Sequence, residues 1–348
     1  MPFLTRYGTQ FGLRSARHGR TIFVAASAQY SGLASNISGG GGTTGTFGAS
    51  DNNDGLSPER AVRTATYAIN TLAQTGDTVI LLPGTHTVTA TLAPRAGVAI
   101  YGCGMGTSDI ARSMYVQETN LTISAAAHLW NLIRNNIEIG YIRMYPAVGF
   151  STVTSQTTAS LTAAGDITQA ITGLYIHDCQ IDLGATSASG LLTAGIDLRK
   201  RTTAAGENYG QSVATVYALI ENCFFNAGFA TGPAIATATA SVHVKGCRFN
   251  IASMGVLWAS PFMVATNTQA SLVENCIWTA NGTSSYGDAI DGNNAGSQPL
   301  YAVQVVNCRF PAAGQLTNGI ALDNFGTNMA SVTESYLSGN ATAVTAIT

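Results

Sequence analysis

The apolar positions of this chain fall into a phrase that repeats in fixed register: apolar, any, apolar, any, any, Cys, any, large apolar. Val98, Ile100, Cys103 and Met105 fit it, as do Leu174, Ile176, Cys179 and Ile181. Ala218, Ile220, Cys223 and Phe225 follow, then Val242, Val244, Cys247 and Phe249. Ser271, Val273, Cys276 and Trp278 continue the series, with Val303, Val305, Cys308 and Phe310 after them. Ile137, Ile139, Ile142 and Met144 place Ile in the Cys slot, and Ala330, Val332, Ser335 and Leu337 place Ser there. Successive copies lie 24 to 44 residues apart. Alternation within a copy predicts a strand with one face inward. Repetition at about 20–50 residues predicts a solenoid.

A second phrase follows the Cys slot, a small residue and then a short apolar strand. Examples are Gly195-Ile196-Asp197-Leu198, Gly232-Pro233-Ala234-Ile235, Gly255-Val256-Leu257-Trp258, Ala289-Ile290-Asp291 and Gly319-Ile320-Ala321-Leu322-Asp323. Two or three strands per coil are therefore expected. Asn222, Asn275 and Asn307 stand just before Cys and predict corners, because Asn tolerates the left-handed backbone region. Leu121, Ile123 and Ala126 read as an additional copy of the first phrase between the copies at 103 and 142.

Composition supports stacked strands. Of 348 residues, 10% are charged and 46% hydrophobic, which suits neither a helical bundle nor a disordered chain. The net charge of −2 gives no case for nucleic acid. No stretch approaches the ~20 apolar residues of a membrane span. Charge is uneven, however: residues 1–50 carry Arg6, Arg14, Arg17 and Arg20 and no acid. This arm lacks the apolar core of an export signal. It holds a strand-like stretch, Thr21–Ala26, and a Gly-rich linker around residues 39–42.

All six cysteines occupy one slot of the repeat, so Cys103, Cys179, Cys223, Cys247, Cys276 and Cys308 are expected as a reduced ladder inside the coils. With no Cys-x-x-Cys and no paired His, no metal is expected.

After the linker, Ser57-Pro58-Glu59 reads as a helix start, with Ala61, Ala65, Ala68, Ile69 and Leu72 on one face and Gly76 at the end. Thr78 through Leu82 then forms a strand before Pro83-Gly84. This module and the coils after it resemble the right-handed parallel β-helix proteins of the pectate-lyase-like superfamily, in many of which a helix caps the N-terminal end. The resemblance implies an all-β, right-handed single-stranded parallel β-helix. Residues 1–50 form an arm and linker, residues 51–348 the solenoid, with a cap helix at about 57–75 and coils at about 77–348.

Enzymes of that superfamily are mostly polysaccharide lyases and hydrolases, but the sequence signatures of the polygalacturonases and pectate lyases are absent. Weak catalytic candidates are Asp197, Asp288, Asp291 and Asp323, of which Asp197, Asp291 and Asp323 follow equivalent strands. A pair of carboxylates on stacked coils is the equipment of glycoside hydrolysis; solvated corner residues are the competing reading. His177 with Asp178 and Asp182 is a further candidate set, with His177 read as a surface or corner residue, and the run Arg199-Lys200-Arg201 reads as an exposed loop or else as an intersubunit or anionic-glycan contact. Asp51-Asn52-Asn53-Asp54-Gly55 reads as a turn, since a calcium loop needs a later Gly and a terminal Glu.

The arm and low-charge solenoid are also similar to short β-helix proteins of tailed bacteriophages. That resemblance implies a non-enzymatic virion protein, a capsid decoration, head fibre or spike, assembled in the host cytoplasm. The reading expects a homotrimer with no cofactor, attached to other virion proteins through Arg6, Arg14, Arg17 and Arg20, with a host-surface glycan as a further partner. Trp258, Phe262, Trp278, Tyr286 and Tyr301 exceed what narrow coils should hold and are expected partly at a subunit interface or on a ligand-facing surface. The alternative is a tailspike-type enzyme cleaving host polysaccharide.

Overall fold

The computed structural model describes residues 19–26, 49–104, 118–123, 129–146, 159–163, 171–182, 192–198, 216–226, 234–237, 240–250, 256–258, 271–279, 289–291, 303–311, 322–323, 330–333 and 336–337. Among these residues the strands form three parallel sheets of ten, nine and seven strands. The chain visits sheet A, sheet B and sheet C in turn and returns one strand further along each, which makes a right-handed parallel β-helix. One complete coil runs Val216–Glu221, Phe224–Asn226 and Ile235–Thr237; the next runs Ala240–Lys245, Arg248–Asn250 and Val256–Trp258.

The repeated phrase is the passage from sheet A to sheet B. Its first two apolar positions lie in sheet A in direct register, as in Ile139, Ile176, Ile220 and Val244. Its last apolar position lies in sheet B, where Phe225 pairs with Phe249 and Phe249 with Trp278. Those rings stack inside the solenoid at centroid separations of 5.0 and 4.7 Å, and Phe310 continues the stack 4.8 Å beyond Trp278. Trp278 is thus a core residue, so the excess of aromatics expected at an interface loses one member. The Trp258 side chain and Phe262, Tyr286 and Tyr301 lie outside the described residues.

Between the two sheets the chain turns on a single residue with positive φ: Tyr141 (60°), Asp178 (48°), Asn222 (53°), Gly246 (61°), Asn275 (55°) and Asn307 (49°). The next residue is the ladder position. Ile142, Cys179, Cys223, Cys247, Cys276 and Cys308 are all buried there. Each of the five thiols points at a sheet A carbonyl of the preceding coil, from Cys179 on Ile139 to Cys308 on Val273. Burial pushes the thiols of Cys179, Cys223, Cys247 and Cys276 well up from the ordinary range. A hydrogen bond from the Cys276 thiol holds Cys308 down instead.

Cys103 departs from the ladder and is exposed. In its coil the sheet B strand is Thr119–Ile123, and Leu121 takes the interior place in register with Met144. Leu121 is therefore the third member of the phrase begun by Val98 and Ile100, not an extra copy. Thr119 is fully buried, and its hydroxyl accepts from the Cys103 N–H and donates to the Leu81 carbonyl. Met105 and Ser335 lie outside the described residues.

The N-terminal end differs from expectation in two ways. Thr21–Val24 is the first strand of sheet A, paired in parallel with Thr78–Leu81, so the strand expected in the arm belongs to the solenoid. The cap helix is also broken. Pro58–Arg60 forms one 3₁₀ turn, and a helical segment starts only at Ala65, with Thr64 accepting from the Tyr67 N–H. It continues through Ala68–Leu72 as a π turn. The cause is Val62, which bridges Val24 and gives its N–H to the Phe23 carbonyl. A residue extended against a strand edge cannot also be helical. Ala65, Ala68 and Ile69 still pack on the core, closing the open end of the sheets.

Candidate functional site

Ionisable side chains gather on the outer face of sheet A, at the second and fourth positions of the phrase. The second position reads Ala99, Glu138, Tyr175, Leu219, His243, and the fourth reads Tyr101, Gly140, His177, Glu221, Lys245, Glu274. Parallel strands about 4.8 Å apart bring residues of neighbouring coils into reach of one another.

His177 is the centre of this cluster. It is 4% exposed, and its ring stacks on Tyr175 at 4.2 Å while Tyr141 meets it edge-on at 5.1 Å. Its Nδ1 lies 2.8 Å from Asp178 Oδ2 and its Nε2 lies 3.2 Å from Glu138 Oε1. The imidazole therefore ties the coil of Glu138 to its own. Gly140 makes room for it, since a Cβ at that position would come within 2.5 Å of the ring.

A second set of contacts continues the cluster. The Tyr175 hydroxyl donates to Glu221 at 2.7 Å, and Glu221 pairs with Lys245 at 3.3 Å. Glu274 lies 3.1 Å from His243 Nε2 and 3.9 Å from the Lys245 ammonium. Burial pushes the His243 imidazole below its usual range, opposed by the neighbouring Glu274 carboxylate. Acids and bases here serve as partners for one another across coils. The exposed margin of the cluster is Tyr141, 45% exposed, with the Asp178 carboxylate at the next corner.

Of these residues the sequence singled out His177 and Asp178 as site candidates, and it read His177 as a surface or corner residue; His177 is instead buried at the end of a strand. Glu138, Tyr175, Glu221, His243, Lys245 and Glu274 occupy positions that the apolar phrase leaves unspecified, so the phrase does not mark them. Reading its unspecified positions down successive copies would have found them.

Asp182 lies on sheet B. It accepts from Arg143 Nε at 2.7 Å, from Gln180 at 2.9 Å and from Asn226 at 3.3 Å. Asn250 extends the row by donating to Asn226. This row joins four consecutive coils. Sheet C holds the other acids in one line of register: Asp197 pairs with Ala236, Ala236 with Leu257, Leu257 with Asp291, and Asp291 with Asp323. Asp291 and Asp323 are direct neighbours, whereas two coils separate them from Asp197. Asp288 and the run 199–201 lie outside the described residues.

Arg20 is built into the fold. Its guanidinium lies 2.8 Å from Asp77 and donates to the Leu72 carbonyl, and its backbone N–H donates to the same carboxylate. It fastens the first strand to the second, so it is not a free attachment residue. Arg6, Arg14 and Arg17 lie outside the described residues. Asp51 is likewise consumed as a cap, accepting from the N–H groups of Arg63 and Thr64 and from the Thr64 hydroxyl. Asp54 accepts from the Leu56 N–H and pairs with Arg60. Among the described residues no group of three or more His, Cys, Asp or Glu side chains is placed to hold a metal ion.

No protein-family model matches the chain, and no curated protein matches it in sequence. Among solved structures it is similar to the pectin methylesterase of Aspergillus niger in deglycosylated form, at 13% identity and a TM-score of 0.49, over 84% of this chain and 89% of that one. A penultimately deglycosylated form of that enzyme aligns at 13% identity and a TM-score of 0.44, over 84% and 88% of the two chains. At such identity and overlap nothing about activity passes to this chain.

Proposed function

We propose that the chain is a structural component of a bacteriophage particle, a decoration, head fibre or spike whose solenoid projects for stabilisation or host-surface attachment. The observation that carries this reading is the ladder of five reduced, buried thiols in five consecutive coils. Such a ladder suits a chain that folds and assembles in a reducing compartment. The outer face of sheet A supports it further, because its charges are spent in pairs that stiffen the coils. In this reading the chain is a homotrimer held to other virion proteins by residues ahead of Arg20. Washed particles should contain the chain in fixed proportion to the capsid protein, and light scattering of the purified chain should give three times the monomer mass. A chain absent from particles, or a monomer at micromolar concentration, counts against it.

A second reading, a tailspike-type enzyme acting on host polysaccharide, is favoured by the direct register of Asp291 and Asp323 on neighbouring coils. It requires that purified protein shorten host capsule or lipopolysaccharide chains, and that Asp291→Asn and Asp323→Asn each abolish the shortening.

A further inference from the structure

Tyr141 stands where the corner least favours it. The equivalent positions of later coils hold Asp178, Asn222, Gly246, Asn275 and Asn307, the residue types that accept a left-handed backbone cheaply. A bulky side chain at φ 60° is strained, and strain of this kind persists where the side chain is put to use.

Packing fixes the ring and leaves one side of it open. One edge of the environment is filled by the His177 ring, at 89° and 5.1 Å, and by Tyr101 at 6.2 Å and 52°. These contacts fix the ring's orientation. Yet Tyr141 remains 45% exposed and, with Leu56, is one of the two exposed large apolar side chains among the described residues. Beside it at the next corner, Asp178 has one carboxylate oxygen engaged by His177, and its side chain is 30% exposed.

A held aromatic ring beside an exposed carboxylate matches the chemistry of a sugar. The ring meets the apolar C–H face of a pyranose, and the carboxylate accepts from its hydroxyls. The nearby charge narrows the class. The acids beside the ring are Glu138 and Asp178, both in contact with the His177 imidazole that holds Tyr141, so uronate, sialate and phosphate groups are disfavoured at this corner. We infer that Tyr141 and Asp178 form a binding site on the corner between sheets A and B for an uncharged pyranose of a glycan chain. The inference rests on this corner alone and stands whether or not the chain belongs to a particle.

The test is binding of the full-length protein to a panel of neutral oligosaccharides built from glucose, galactose, mannose, rhamnose or N-acetylglucosamine, with polygalacturonate as the anionic control. Ligand-observed NMR and tyrosine fluorescence give the readout. Wild type should bind at least one neutral member and not polygalacturonate. Tyr141→Asn should weaken that binding at least tenfold while leaving the melting temperature unchanged or higher, because Asn suits the corner. Tyr141→Phe should retain binding, and Asp178→Asn should weaken it less than Tyr141→Asn does. No binding to any neutral member overturns the inference, as does a Tyr141→Asn variant that binds like wild type. Host capsule and lipopolysaccharide fractions carrying the bound sugar then distinguish its source.

Discussion

The imidazole of His177 lies directly over Gly140 of the preceding coil, at a distance that leaves no space for a methyl group. Gly140 has no positive φ, so its requirement is steric, set by the coil that follows it. Gly140→Ala should therefore destabilise the protein by about 1–3 kcal/mol through overpacking. Equilibrium urea denaturation measures this. In a His177→Ala background the same substitution should cost much less, and an equal cost in both backgrounds would break the link.

Removing the imidazole has its own consequence. Glu138 is buried and would lose its contact with the imidazole across the coils. His177→Ala should cost about 1–3 kcal/mol, the scale for losing a buried hydrogen bond and its packing. Adding Glu138→Gln should restore part of that loss, and a double-mutant cycle should show coupling above about 0.5 kcal/mol.

The cysteines divide into one exposed thiol and five buried ones. A thiol-specific aromatic disulfide reagent at pH 8 should modify native protein at Cys103 alone, with Cys179, Cys223, Cys247, Cys276 and Cys308 reacting only after denaturation. Peptide mapping of the labelled protein reads this directly. Rapid labelling of any ladder thiol in the native state would contradict the packing.

Asp77 gives a pH dependence with a definite sign. Burial works to raise its pKa, but hydrogen bonds from the Gln74 N–H and from Arg20 outweigh it and hold the carboxyl below the usual aspartate range. The group's stabilisation is thus present above the unfolded pKa of about 3.9 and is lost as pH falls through the folded value. Asp77→Asn should cost about 1–2 kcal/mol at pH 7, allowing for the partly exposed Arg20. The difference between wild type and variant should begin to shrink as pH falls through about 4 and should close only below the depressed folded value, where both carry a neutral group.

The coils were legible because each apolar position must recur for strands to stack, and Phe225, Phe249 and Trp278 show that rule as a continuous stack of rings. Val62 shows where the reading fell short. It lies inside the stretch read as a cap helix from about 57 to 75, but a strand edge at Val24 competes for it, and that edge arises only when Thr21–Val24 docks. Cys103 misled for a similar reason. Its phrase matches to the last residue, yet the corner after Tyr101 is not the single-residue turn of later coils, and Thr119 takes the buried place. The sheet A cluster was hidden because Glu138 and His177 are 39 residues apart and meet only through coil register.

The proposal that the solenoid is part of a bacteriophage particle is tested most directly by electron cryomicroscopy of washed particles recovered from cultures that produce the chain. The reading predicts projecting density, threefold about its axis, into which the stacked coils fit with the Thr21–Val24 end toward the particle. Particles that lack such density and lack the chain by mass spectrometry, together with polysaccharide shortening by the purified protein, would contradict it in favour of a free enzyme.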